Sequence, residues 1–176
     1  MDKSILAVNK DSLERVLVKN PMIKSAQVYY SLDGYIHVNI QQREPVLRVL
    51  TGEGYYVDRD GRVMPLSSKF TSRVVVATGD INKKFACEKL GPFAMKLKNE
   101  PFWDAYIEQL VVRSNEDVVM IPKVGDFRIV LGKVDDCEAR LEKLMLFLKD
   151  GITKKGWNRY KEINLKFDNQ VVCVRK

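Results

Sequence analysis

Ile163-Asn164-Leu165-Lys166-Phe167, then Asp168-Asn169-Gln170, then Val171-Val172-Cys173-Val174 is the stretch on which the reading of the fold turns. In its first run apolar residues alternate with polar ones, the period of two that a strand with one buried face requires. Three polar residues make a turn, and a short apolar strand follows. The chain therefore closes on a hairpin. Upstream of it, past a connector holding Trp157 and Tyr160, the period changes. Between Asp135 and Lys149, Leu141, Leu144, Met145 and Leu148 fall at i, i+3, i+4 and i+7, one face of a helix. A helix packed beside strands places this half of the chain in a mixed α+β class.

Further upstream the signals repeat. Ile107 to Arg113, Val118 to Pro122 and Phe127 to Leu131 read as strands, with turns at Asn115-Glu116-Asp117 and Gly125-Asp126. Asn82 to Lys98 reads as a helix that Gly91-Pro92 divides or kinks. Val74 to Ala77 is a short strand. Tyr55-Tyr56-Val57 and Arg62-Val63-Met64 form a hairpin through Asp58-Arg59-Asp60-Gly61. Gly52-Glu53-Gly54 marks a boundary. Before it, a helix carrying Leu13, Val16 and Leu17 is capped by Asn9 or Asp11 and stopped at Asn20-Pro21. Two alternating runs follow, Ile23 to Tyr30 and Tyr35 to Gln42, joined through Gly34, and Pro45 ends or edges the second. The expected organisation is a small helix-plus-hairpin unit over residues 1–49. A larger unit over 50–176 is mainly antiparallel, with helices packed on one face.

The bulk numbers agree with a folded protein. The 176 residues are 45% hydrophobic and 30% charged, with a formal net charge of +7. The basic side chains are spread along the chain rather than gathered into an arm, so a lysine-rich surface explains them as well as an anionic partner does. No run reaches the roughly 18 apolar residues of a membrane helix, and Met1-Asp2-Lys3-Ser4 does not begin a signal peptide.

Catalytic readings lack parts. The glycines are scattered among turns, not grouped into a phosphate loop. His37, the sole histidine, sits in a strand-like run and leaves a nucleophile no second choice of base. Cys87, Cys137 and Cys173 are far apart and odd in number, which gives no zinc or disulfide framework. Asp58, Asp60 and Asp80 read as turn residues rather than a metal loop. Tyr29, Tyr30, Tyr55 and Tyr56 could stack bases, but in hairpin strands they suit a core or cross-strand pairs. No enzyme, no metal, no cofactor and no nucleic-acid partner is expected.

Three motifs in order carry a resemblance. Val8-Asn9-Lys10-Asp11-Ser12-Leu13-Glu14-Arg15-Val16-Leu17, with Asn20-Pro21-Met22-Ile23 and Ala26-Gln27-Val28, resembles the second half of a POTRA domain. The strand Val38-Asn39-Ile40-Gln41-Gln42-Arg43-Glu44-Pro45-Val46 closes it. Tyr56-Val57-Asp58-Arg59-Asp60-Gly61-Arg62-Val63 resembles the V-D-x-x-G-x-V/F opening of the β domain in the bacterial cell-division proteins of the FtsQ/DivIB family. The stretch from Trp157 to Val174 resembles its I-D-L-R-Y-x-N-G-x-x-V close, with Gln170 where the family often has Gly.

The resemblance implies an extracytoplasmic fragment of an inner-membrane, single-pass protein. It would begin inside a POTRA domain whose first strand and helix are absent, with the β domain following. It also implies a divisome scaffold that binds small single-pass coiled-coil division proteins of the FtsB/FtsL type at a C-terminal edge strand. An open edge offers unpaired backbone groups to one more strand. The positions implied are Phe167, Asn169, Gln170, Val171, Val172, Cys173 and Val174, with Lys133 near the same edge for an acidic partner residue. Alternation alone would put Phe167 on the inward face with Ile163 and Leu165, whereas the resemblance makes it an outward anchor. The other reading is a POTRA-type polypeptide-binding module of a secretion or outer-membrane assembly system.

Overall fold

A computed structural model describes residues 9–67, 71–152, 159–168 and 170–176, with the side chains of 151 and 152 left aside. The motif position Val8, the connector residue Trp157 and the site position Asn169 lie outside the described residues.

The chain forms two compact units that part between Glu44 and Pro45. In the first, α1 (Lys10–Val18) begins at Asn9, whose side chain accepts a hydrogen bond from the Ser12 amide at 3.1 Å. The helix packs on β1 (Ile23–Tyr30), which pairs antiparallel with β2 (Ile36–Gln42). Glu14 reaches across from α1 to accept from the Val28 amide at 2.7 Å. The hairpin stacks Tyr29 on His37, ring centroids 5.0 Å apart, a cross-strand pair and the role of the sole histidine.

The second unit is built on one mixed sheet of nine strands. Its strands are β3 (Pro45–Val49), β4 (Tyr55–Asp58), β5 (Val63–Pro65), β6 (Val75–Gly79), β7 (Ile107–Arg113), β8 (Asp117–Pro122), β9 (Arg128–Gly132), β10 (Tyr160–Asn164) and β11 (Val172–Arg175). They lie in the order β11-β10-β9-β8-β7-β6-β3-β4-β5. Neighbours are antiparallel except at β3–β6, β6–β7 and β9–β10. Pro45 does not end the preceding strand. It opens β3, and β3 pairs with β4 and β6, so the expected border after residue 49 moves to Glu44/Pro45. Gly52 and Gly54 then serve the β3–β4 turn rather than a boundary.

The helices lie between parallel neighbours. After β6 come α2 (Lys83–Phe85), a π-helical turn (Ala86–Leu90), α3 (Gly91–Asn99) and α4 (Pro101–Tyr106), and then β7. After β9 comes α5 (Glu138–Leu146) with a π-helical turn (Phe147–Ile152), and then β10. Both crossovers join strands of the same direction and step the same way along the sheet. The right-handed rule therefore puts both helical segments on one face. Packing agrees: Leu90, Phe93 and Leu97 from the first segment and Leu141, Leu144 and Leu148 from the second share one core with Leu110, Met120, Ile129 and Ile163 of the sheet.

Candidate functional site

β11 is the sheet's last strand. It pairs antiparallel with β10 (Asn164 opposite Val172, Ile163 opposite Cys173, Glu162 opposite Val174) and, among the described residues, has no strand on its other side. Every second residue of such a strand turns its N–H and C=O away from its one neighbour, where they can receive another strand. The opposite edge is less suited to this. β5 has three residues, Val63–Pro65, and ends in a proline that has no amide to donate.

Side chains alternate along the C-terminal edge. Val171 and Cys173 pack against the core, while Val172 and Val174 are 36% and 39% exposed. Burial pushes the Cys173 thiol above its ordinary pKa and keeps it protonated, so it packs as a small apolar group. Val172 continues a row on the sheet face away from the helices. Register carries that row from Val111 through Val119, Val130 and Asn164.

Phe167 leaves the alternation. Ile163 and Leu165 are fully buried, but Phe167 is 46% exposed. The ladder explains this. β10 ends at Asn164, and Leu165 makes a last bond through its amide to the Val130 carbonyl at 2.9 Å. Beyond it the backbone is held by Lys143 of α5, whose ammonium donates to the carbonyls of Leu165 (3.2 Å) and Phe167 (2.5 Å). Without a ladder the period of two no longer applies. Gln170, where the family often has Gly, is exposed.

Lys133 belongs to the same corner. β9 and β10 are parallel, with Val130 opposite Asn164, so the segments that leave them exit at the same end. Lys133 follows β9 there, Phe167 follows β10, and Gln170 and Val171 lead into β11. Lys133 is exposed and makes no ion pair among the described residues. It lines an open groove of about 680 Å³ with Asp117, Asp136, Arg140, Lys166 and Asp168. Its neighbours are committed. Lys166 pairs with Asp117 at 3.2 Å, and the Arg140 guanidinium donates to the carbonyls of Leu131 and Asp135. At the far end of β11, Lys176 pairs with Asp126 at 2.8 Å, which holds that carboxylate below its usual pKa, and Arg128 pairs with Glu162 at 2.7 Å.

The sequence had no signal for Lys143. It stands on the polar flank of a helix, and only the folding of α5 over the end of β10 gives it the two carbonyls. The row formed by Val111, Val119 and Val130 was likewise invisible before register was known.

Comparison with known proteins gives two matches. The family model described as FtsQ/DivIB, C-terminal related, matches residues 44–174. The model of the POTRA-like domain matches residues 1–41. No curated protein matches the chain.

Proposed function

The chain belongs to the FtsQ/DivIB, C-terminal related family, a family of non-enzymatic division scaffolds, and from that membership we propose that it gathers membrane-anchored division proteins by lending them the edge of its sheet. The partners are small single-pass coiled-coil proteins of the FtsB/FtsL type, met on the extracytoplasmic side of the inner membrane. A partner segment extends the sheet beside β11, and its backbone hydrogen bonds supply affinity. Its outward side chains meet Val172 and Val174, Phe167 anchors its flank, and Lys133 attracts an acidic residue next to it. Helping to assemble the septal wall-synthesis machinery follows from holding such partners together.

The observation that carries this reading is the contrast between the two ends of one sheet. One edge is shortened and closed by Pro65. The other presents exposed valines and an exposed phenylalanine with no strand beside them among the described residues.

The test is titration with a peptide from the C-terminal region of the host's FtsB-type protein. Saturable binding is expected, weakened at least about tenfold, or 1.4 kcal/mol, by Phe167→Ala and by the pair Val172→Lys with Val174→Lys. All three are exposed positions, so folding should persist. Binding that these changes leave intact would place the partner elsewhere. Binding carried by residues 9–44 alone would favour a POTRA-type polypeptide module.

A further inference from the structure

The helical layer of the larger unit contains an open groove. Proline disfavours helical geometry in the residue before it, and Glu100, ahead of Pro101, is extended (φ −107°, ψ 110°). The helix is thereby divided into α3 and α4. From this side Lys96, Glu100 and Trp103 face α5. From α5, Glu138, Leu141, Glu142, Met145 and Leu146 fall at i, i+3, i+4, i+7 and i+8, one stripe of the helix. Between the two sides lies a groove of about 450 Å³.

Its floor is apolar. Trp103 and Leu141 are buried at the bottom, Met145 is half-buried, and Leu146 stands 64% exposed on the flank. Its rim is acidic. Glu138 is matched by Lys96, but neither Glu100 nor Glu142 makes an ion pair among the described residues. The groove thus carries uncompensated negative charge on a chain whose formal net charge is +7. An anionic lipid surface or an acidic segment would be repelled there, and a neutral apolar one would leave the carboxylates unmatched. A segment with an apolar face and basic flanks satisfies both features.

We propose that the groove between α3–α4 and α5 docks a cationic amphipathic helix of a partner protein. Its apolar side chains lie on Trp103, Met145 and Leu146, and its Lys or Arg side chains meet Glu100 and Glu142. This surface is on the helical face, separate from the edge at β11, and its occupancy does not require that edge.

The probe is a synthetic Leu/Lys amphipathic helix, titrated calorimetrically into the whole chain beside a Leu/Glu peptide of equal length. Saturable binding of the Leu/Lys peptide alone is expected. Glu100→Gln with Glu142→Gln should weaken it about tenfold or more, and Leu146→Asp should weaken it comparably. The matched pair Glu53→Gln with Glu108→Gln, elsewhere on the surface, should not. No saturable binding, equal binding of the Leu/Glu peptide, or equal effects of the two glutamine pairs would each overturn the proposal. Phe167→Ala distinguishes the two surfaces, since it should leave this titration unchanged.

Discussion

Asp58 is the polar side chain among the buried residues described, 2% exposed at the end of β4. One of its carboxylate oxygens accepts from the amides of Asp60 (2.9 Å) and Arg62 (2.7 Å), which closes the β4–β5 turn. Removing a buried acceptor leaves its donors short of a partner, at about 1–3 kcal/mol. Asp58→Ala should therefore lower stability to urea by about that amount, and Asp58→Asn, which keeps an acceptor, by less. Equal losses would mean that charge rather than hydrogen bonding matters there. The turn itself was legible from Asp58 and Gly61, because turn chemistry is local. The burial of Asp58 was not legible, because it depends on the layer above. Phe167 teaches the same lesson from the other side: alternation describes a residue only while its strand is paired.

At the scale of the element, β6 ends on Gly79 with φ +103°, a backbone that side chains resist. A Cβ built there would run into the carbonyl oxygen of Val112 on the neighbouring strand. That oxygen also accepts from the Asp80 amide at 2.9 Å, so it is not free to move. Gly52 also has positive φ (+63°), but a Cβ there meets nothing within 4 Å. Thermal melts should thus separate the two. Gly79→Ala is expected to cost about 2–4 kcal/mol and Gly52→Ala about 1 kcal/mol. Similar losses would refute the close approach at Gly79. Element boundaries also mark the limits of sequence reading. A division or kink was expected at Gly91-Pro92, but there the backbone stays helical and a π-helical turn runs directly into α3; the break comes at Glu100. α4 was not expected, because Pro101-Phe102-Trp103 reads as an interruption although proline suits a helix's first turn. β3 was missed for the same reason, since proline is tolerated at the first residue of a strand.

For the whole molecule, the two units differ in what they bury. The described core of the first is Ile23, Ala26 and Val28, whereas the second encloses a large continuous core between sheet and helices. Stability follows buried apolar area, so the units should not resist unfolding equally. Residues 45–176 expressed alone are expected to fold and to unfold cooperatively in urea. In the whole chain, amides of β1 and β2 should exchange at lower urea than those of β7 to β9. A 45–176 fragment without a cooperative transition would show that the larger unit needs the smaller.

The sequence alone determined the class, the order of most elements and the closing hairpin. Period, caps and turn residues act over a few neighbours, and they are complete in the string. Three motifs in order also pointed to the family. What it could not determine was which strands neighbour each other and which of two apolar residues in one run faces water. Those outcomes depend on pairings between residues far apart: β3 with β6, β10 with β9, Lys143 with the carbonyl of Phe167. The open edge at β11 and the acidic groove under Leu146 exist only once the chain has closed on itself.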